Sequence, residues 1–411
     1  MEKFKRTKFA CFYTYLAMSS IFVLPPLLFV TFREMYGISY TLLGTLVLIN
    51  FCTQLTVDLI FSFFTKWFNI KKTIRVMPLL TTLGLAVYAI VPACFPQFAY
   101  VGFVAGTVIF SIAAGLCEVL LSPTVAALPS DNPERDMSTL HSLYAYGVLT
   151  VIIGSTVFFV LFGRENWMIL TLFWAILPIG STVLFCTSPL PEMDMTQSVS
   201  KEKNRHRTVG MLLCVCCIFL GSAAENTMTN WISGYIESAL QIPKALGDIL
   251  GIALFAVLLG FTRTWYAKYG KNIHRFLLCS MGGAVVCYLI VALSPNAVVS
   301  LIACVLMGIT TSMLWPGMLI YMEEKILNPG VVGYALMAAG GDFGASVAPQ
   351  MLGIVVDNVS ASGWATDLGA MLSLSPEQVG MKAGMLLAAL FPAVGVLMLL
   401  YIRHWFKKKK A

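Results

Sequence analysis

Twelve apolar runs of about 20 residues, separated by short polar breaks, take up most of this 411-residue chain. About 20 apolar residues is the length an α-helix needs to cross the hydrocarbon of a bilayer, so the runs predict twelve membrane spans. They centre near residues 20, 51, 84, 112, 150, 176, 222, 254, 284, 307, 344 and 392. Charged residues make up 11% of the chain, against roughly 25% in a soluble domain, which excludes a soluble class. The first run, Phe9 to Thr31, is too long for a signal-peptide core and has no small-residue cleavage site, so it is expected to be retained as a span.

The net charge of +7 could point to nucleic acid, but the positions of the charges point to a membrane instead. With the N-terminus in the cytoplasm, 23 of the 27 Lys and Arg residues fall on the cytoplasmic side, and Arg33, Arg164, Lys244 and Lys382 fall outside. The excess of positive charge inside places both termini in the cytoplasm of a multi-pass protein of the cytoplasmic (inner) membrane. On this topology no basic residue lies deep in any span. The eleven cysteines sit mostly in apolar runs, without a neighbouring cation to activate a thiol, and are expected to pack as small hydrophobes.

Inside the fourth run stands Gly115-Leu-Cys-Glu-Val-Leu-Leu-Ser-Pro123. A carboxylate in hydrocarbon costs a few kcal/mol or more, so Glu118 is expected to face a protein-lined space. Ser122 shares its helix face, and Pro123 removes a backbone hydrogen bond and can bend the span. The Gly and Pro return 193 residues later in Gly308-Ile-Thr-Thr-Ser-Met-Leu-Trp-Pro316, and Gly147 matches Gly340 at the same offset. The segment from Pro189 to Arg207 is the longest charged stretch. Two related halves follow: an N-terminal bundle over 1–190, a cytoplasmic linker over 191–207 and a C-terminal bundle over 208–411. Past Asp357 an outside loop of about 20 residues leads to Ser375-Pro-Glu-Gln378, which has the form of a helix-capping box.

Glu118, Glu225 and Asp342 are the carboxylates deep in spans, and the sequence offers no intramembrane cation to pair with them. A carboxyl taken out of water without a cation favours its neutral form and can take up and release a proton, so these three are the proton-coupling candidates. Sugars present hydroxyl edges and apolar C–H faces, and sites for them combine amide or carboxyl partners with aromatic plates. Glu118, Ser122, His141, Tyr144, Glu225, Asn226 and Asn230 are the polar candidates for such a site, and Trp231 and Trp315 the plates. Asp58, near a basic turn, is expected at a cytoplasmic gate or helix end. Arg263 is expected to snorkel to the interface, with a gate ion pair as its other role.

Two six-span halves joined by a charged cytoplasmic linker resemble the major facilitator superfamily. Within it the chain is most similar to the fucose permease-like sugar–proton symporters, through Gly115-x-x-Glu118-x-x-x-Ser122-Pro123, Gly260-Phe-Thr-Arg-Thr-Trp265 and Trp315-Pro316. The resemblance implies an all-α fold of twelve transmembrane helices in two pseudo-symmetric six-helix bundles. It implies that Glu118 links protonation to sugar binding, and that Lys66 and Lys268, in the basic turns after spans two and eight, lie where the superfamily keeps its cytoplasmic gate. Ser122 stands where the family has asparagine, and the first span lacks the family's aspartate.

The expected function is secondary active transport of a small polar solute, a sugar, by alternating access with proton symport. Export of a small amphipathic compound, or uniport of another organic solute, is the alternative. An enzyme is not expected: there is no H-E-x-x-H or G-x-S-x-G, and three of the four histidines lie in cytoplasmic basic segments. A sensor with a soluble output domain finds no stretch long enough to form one. The expected partners are a small-molecule substrate, protons and membrane lipid, with no nucleic acid, no cofactor and no metal, and the chain is expected to be a monomer.

Overall fold

The computed structural model describes residues 4–64, 67–131, 133–192, 205–326 and 330–407. The secondary structure of these residues is helical throughout. Eleven helical segments are long and apolar enough to cross a membrane. The remaining run of the sequence pattern is Gly330–Ser360, a 31-residue helix that holds Asp342 and Gln350 and falls outside that count. At 1.5 Å per residue it is about 46 Å long, more than a bilayer core requires.

The chain divides into two compact units, Met1–Ile38 with Ile49–Thr196, and Ser39–Leu48 with Gln197–Ala411. The first contains α1 (Lys5–Leu27), α2 (Phe29–Tyr36), the larger part of α3 (Tyr40–Phe64), α4 (Ile70–Cys94), α5 (Ala99–Ala126), α6 (Pro133–Phe162) and α7 (Trp167–Cys186). Pro25 and Pro26 lie in the last turn of α1, and the chain resumes as α2 one residue after that helix ends. Within this unit α4 packs on α5 and α7, and α1 on α6. A Cβ on Gly106 would stand 2.7 Å from the Gly84 carbonyl oxygen, so the two backbones nearly touch and only glycine fits. The Gly102-x-x-x-Gly106 spacing therefore serves packing, as small residues do between membrane helices. Next to this crossing Phe32 stacks on Phe103 at 4.1 Å, with Trp167 edge-on to Phe32 at 5.0 Å, and all three rings are buried.

The second unit contains α8 (Arg205–Gly234), α9 (Lys244–Gly247), α10 (Leu254–Tyr269), α11 (Ile273–Leu293), α12 (Ala297–Thr311), α13 (Pro316–Lys325), α14 (Gly330–Ser360), α15 (Gly363–Leu372), α16 (Pro376–Ala388) and α17 (Leu390–Lys407). Two single π-helical turns, Tyr235–Ala239 and Asp248–Ala253, extend α8 and link α9 to α10. The capping box at Ser375 is present in both directions: Ser375 accepts from the Gln378 backbone N–H, and the Gln378 side chain accepts from the Ser375 N–H. The loop after Asp357 forms the short helix α15. The opening residues of α3 also pack in this unit. The Asp357 carboxylate accepts from the backbone N–H groups of Tyr40 and Thr41, at 3.1 and 2.6 Å, and so satisfies two orphan donors at the start of that helix.

The two units share internal crossings. In the first, a Cβ on Gly115 would stand 3.1 Å from the carbonyl oxygen of Gln54 on α3, and one on Gly147 would stand 2.5 Å from that of Leu16 on α1. In the second, a Cβ on Gly308 would stand 2.3 Å from the carbonyl oxygen of Phe255 on α10, and one on Gly340 would stand 3.1 Å from that of Val215 on α8. The glycines that recur at an offset of 193 thus hold the fourth span against the second, and the fifth against the first, in each unit. Asn69 and Asn272 likewise cap α4 and α11, each accepting from the backbone N–H three residues on.

Candidate functional site

In the first unit Glu118 lies on α5 eight residues from its end, about 12 Å along the axis. It is surrounded by protein yet open to a water-sized space, while Cys117 and Leu120 beside it are buried. Three helices supply its polar surroundings. From α1 comes Tyr15, whose hydroxyl is a hydrogen-bond partner of Ser122 and whose ring meets Tyr144 of α6 edge-on at 6.5 Å. Phe22 closes on the other side of Tyr144 at 5.8 Å and meets Phe51 of α3 at 6.5 Å. From α3 comes Asp58. Its Oδ1 lies 3.1 Å from where a Cβ on Gly115 would be, one helical turn before Glu118. Among the described residues neither carboxyl forms an ion pair, and Asp58 Oδ1 is buried without a hydrogen-bond partner.

Asp58 thus lies against α5 one turn from Glu118, because residue 115 is a glycine and lets α3 approach α5. A polar ladder continues along the same crossing. Asn50 Oδ1 accepts from Gln54 at 2.9 Å and from Ser111 at 2.6 Å, which places amide and hydroxyl groups one and two turns from Asp58.

The second unit is built differently. Arg263 of α10 donates from its terminal nitrogen Nη2 to Glu225 Oε1 at 2.8 Å, and from Nε to the Ser312 carbonyl oxygen at 2.8 Å. Both contacts follow from the sequence around Pro316. Proline has no N–H, so the carbonyl four residues earlier, that of Ser312, loses its helical donor. The chain turns between α12 and α13 there, and the Arg263 guanidinium takes the vacated position. This corrects two expectations: an intramembrane cation does pair with a deep carboxylate, and Arg263 is engaged by α8 and the α12–α13 break instead of reaching to the interface. Glu225 Oε2 is buried with no hydrogen-bond partner.

A further basic residue is buried against expectation. The Lys244 side chain, 5% exposed, pairs with Asp248 at 3.2 Å, and Ser233 bonds to both. Opposite charges at i, i+4 were the signal available in the sequence. Lys382, also assigned outside, is half-buried and donates to the Ser294 carbonyl oxygen at 2.8 Å.

The aromatic candidates part company. Trp231 is 0% exposed; its indole N–H donates to the Pro349 carbonyl oxygen at 3.0 Å, and its ring lies 5.7 Å from Tyr40. It is a sealed core residue, which corrects its expected role as a plate. Trp315 is half-buried and rests on Gly341, where a Cβ would meet its ring at 2.4 Å. Asn226 and Asn230 donate their side-chain N–H groups back to carbonyl oxygens of α8, those of Ser222 and Asn226. Asp342 is buried on α14, one residue after Gly341. Lys268 is exposed and lies over the Tyr269 ring at 5.3 Å. Lys66 and the side chain of His141 lie outside the described residues.

Comparison with known proteins adds the family. A search of the curated proteins by sequence returns no match. The crystal structure of a D-xylose-proton symporter is similar over 95% of this chain and 97% of its own, with 14% identity and a TM-score of 0.73. That of a bacterial homologue of the human lysosomal transporter Spinster is similar over 98% of both chains, with 11% identity and a TM-score of 0.75. The Escherichia coli fucose:proton symporter is similar over 97% of this chain and 99% of its own, with 13% identity and a TM-score of 0.58. These likenesses establish the fold. The sequence model of one family matches residues 9–349, most of the chain, and the protein belongs to the Major Facilitator Superfamily of membrane transporters.

Proposed function

We propose that this transporter carries a small polyhydroxyl solute, a sugar, together with a proton. The observation that carries the reading is Glu118: a carboxyl within a membrane span, open to a water-sized space and without a cation. A charge in that setting persists only if it does work. Taking up and releasing a proton is the work a lone carboxyl can do there. Glu225 differs, since Arg263 balances its charge, so proton carriage falls to Glu118 and solute or helix positioning to Glu225. Tyr15, Ser122 and Tyr144 place hydroxyl groups around Glu118 that suit a hydroxylated ligand. Trp315 remains the aromatic plate, and Asp342 the comparison acid. Two of the similar solved proteins are a D-xylose-proton and a fucose:proton symporter, which agrees with this assignment. The positive charge pattern supports a cytoplasmic position for both termini.

The test is Glu118→Gln, which keeps shape and hydrogen bonding but cannot release a proton. In membrane vesicles it should abolish sugar accumulation driven by an imposed pH gradient and retain part of the counterflow exchange that needs no empty-carrier return. Full pH-driven accumulation by this variant would remove Glu118 from the role. Absence of pH-driven uptake of any sugar by the native protein would favour export of an amphipathic compound.

A further inference from the structure

The first span has no acid between Lys8 and Thr31, and the carboxyl that α3 brings to the Glu118 face of α5 is that of Asp58. We propose that Asp58 is a second proton-binding group, and that Asp58 and Glu118 form one carboxyl pair in which Asp58 keeps a proton while Glu118 exchanges one with water. This rests on the proton-coupled reading of Glu118 and adds to it a positioning residue that sets when Glu118 binds its proton.

The argument begins with the backbone. Gly115 has no side chain, so α3 seats its Gln54 carbonyl oxygen and the Val57 and Asp58 side chains directly on α5. Residues 115 and 118 share a helix face, which puts the Asp58 carboxyl one turn from that of Glu118. The titratable groups that face the pair are Tyr15 from α1, Cys117 from α5 and Tyr144 from α6; no Lys, Arg or His stands among them in the described residues. Two carboxylates so close, without a cation, repel each other strongly enough that one holds its proton. The environments decide which. Asp58 Oδ1 is sealed and has no donor to stabilise a charge, whereas Glu118 is open to water.

The cycle then balances. With one proton the pair carries a single negative charge, on Glu118. A proton from water binds a Glu118 oxygen and makes the pair neutral. On release the Glu118 O–H bond breaks and the proton returns to water, while Asp58 stays neutral. One proton moves per turn, and the span never holds two negative charges.

The experiment is a pH titration of the purified transporter followed by carboxyl infrared absorption, with no solute present. Read as the difference from the double variant Asp58→Asn/Glu118→Gln, which cancels the other carboxyls of the chain, the native protein should show two steps, separated by more than about one pH unit, that belong to the pair as a unit. On the same difference scale Asp58→Asn and Glu118→Gln should each show a single step at a pH displaced from both native steps. Asp58→Glu, which restores a carboxyl, should recover two steps, and it serves where Asp58→Asn does not fold. A native curve equal to the sum of the two single-variant curves would show independent groups and overturn the pair. Because no gradient or sugar is used, this failure is distinct from a failure of symport, which would appear only as lost pH-driven accumulation with the coupled titration intact.

Discussion

Removal of the Arg263 side chain tests whether Pro316 is what recruits the guanidinium to the Ser312 carbonyl oxygen. In Arg263→Met the Ser312 carbonyl oxygen loses its donor, at a cost of about 1–3 kcal/mol for a buried unsatisfied group. Loss of the Glu225 partner adds to this. Arg263 is 39% exposed and Glu225 13%, so the pair is worth less than the roughly 3–5 kcal/mol of a fully buried one, and a stranded carboxylate limits the loss by taking up a proton. Together about 2–4 kcal/mol is expected. Pro316→Ala supplies the missing backbone N–H four residues after Ser312. Alone it should change little, since Ser312 already has a donor. In the Arg263→Met background it should return about 1–2 kcal/mol, the carbonyl's share. Thermal unfolding of the four proteins in detergent reads this directly, at roughly 2–4 °C per kcal/mol for a unit of this size. Effects that add to within about 0.5 kcal/mol would refute the link between Pro316 and Arg263.

Two more predictions concern side chains of the second unit. Lys244→Met or Asp248→Leu alone should destabilise by about 3–5 kcal/mol, because each strands a buried charge, while the double variant should lie near the native protein; melting temperatures in which the double variant is the worst of the three would exclude a closed ion pair. Trp231→Ala should lower stability by about 3–5 kcal/mol through loss of a buried aromatic and its bond to Pro349, whereas Trp315→Ala should weaken solute binding with little change in melting. Equal effects of the two on binding, measured by solute-induced stabilisation, would contradict their different burial.

The helices and their repeat were legible because hydrophobic length and glycine spacing are local properties of the chain. Gly115, Gly147, Gly308 and Gly340 could be matched at one offset without knowing what each touched, and in each unit they prove to hold equivalent crossings. The ion pair of Glu225 was not legible. Its partner lies 38 residues away on another helix, and Arg263 stands close enough to the end of its span that the sequence favours snorkelling over an ion pair. The approach of Asp58 to Gly115 was not legible for a related reason: its distance from a basic turn can be counted along the chain, but how α3 crosses α5 cannot. Trp231 and Trp315 show the limit for aromatic residues. Both lie in apolar runs, and only packing distinguishes a sealed indole from a half-buried one.

The two units handle a membrane-buried acid in opposite ways, and the difference has a physical consequence. Glu225 is tied by an arginine that is itself tied to the break between α12 and α13, so a change in the charge of Glu225 is felt by the backbone of that break. Glu118 has no such tether. Its α5 helix runs unbroken through Pro123, and the groups around it are hydroxyls, rings and a second carboxyl. A proton arriving at Glu118 therefore changes the local charge without breaking an ion pair, which suits a site that must load and unload repeatedly. A proton taken up by Glu225 instead removes the charge that Arg263 balances. Under the proposed symport the proton would load in the first unit, and the charge state of Glu225 would bear on the α12–α13 break through Arg263. The same Gly–x₇–Pro skeleton serves both purposes because position 118 holds an acid in one copy, while its counterpart, Thr311, leaves the other to be organised by an arginine from a neighbouring helix.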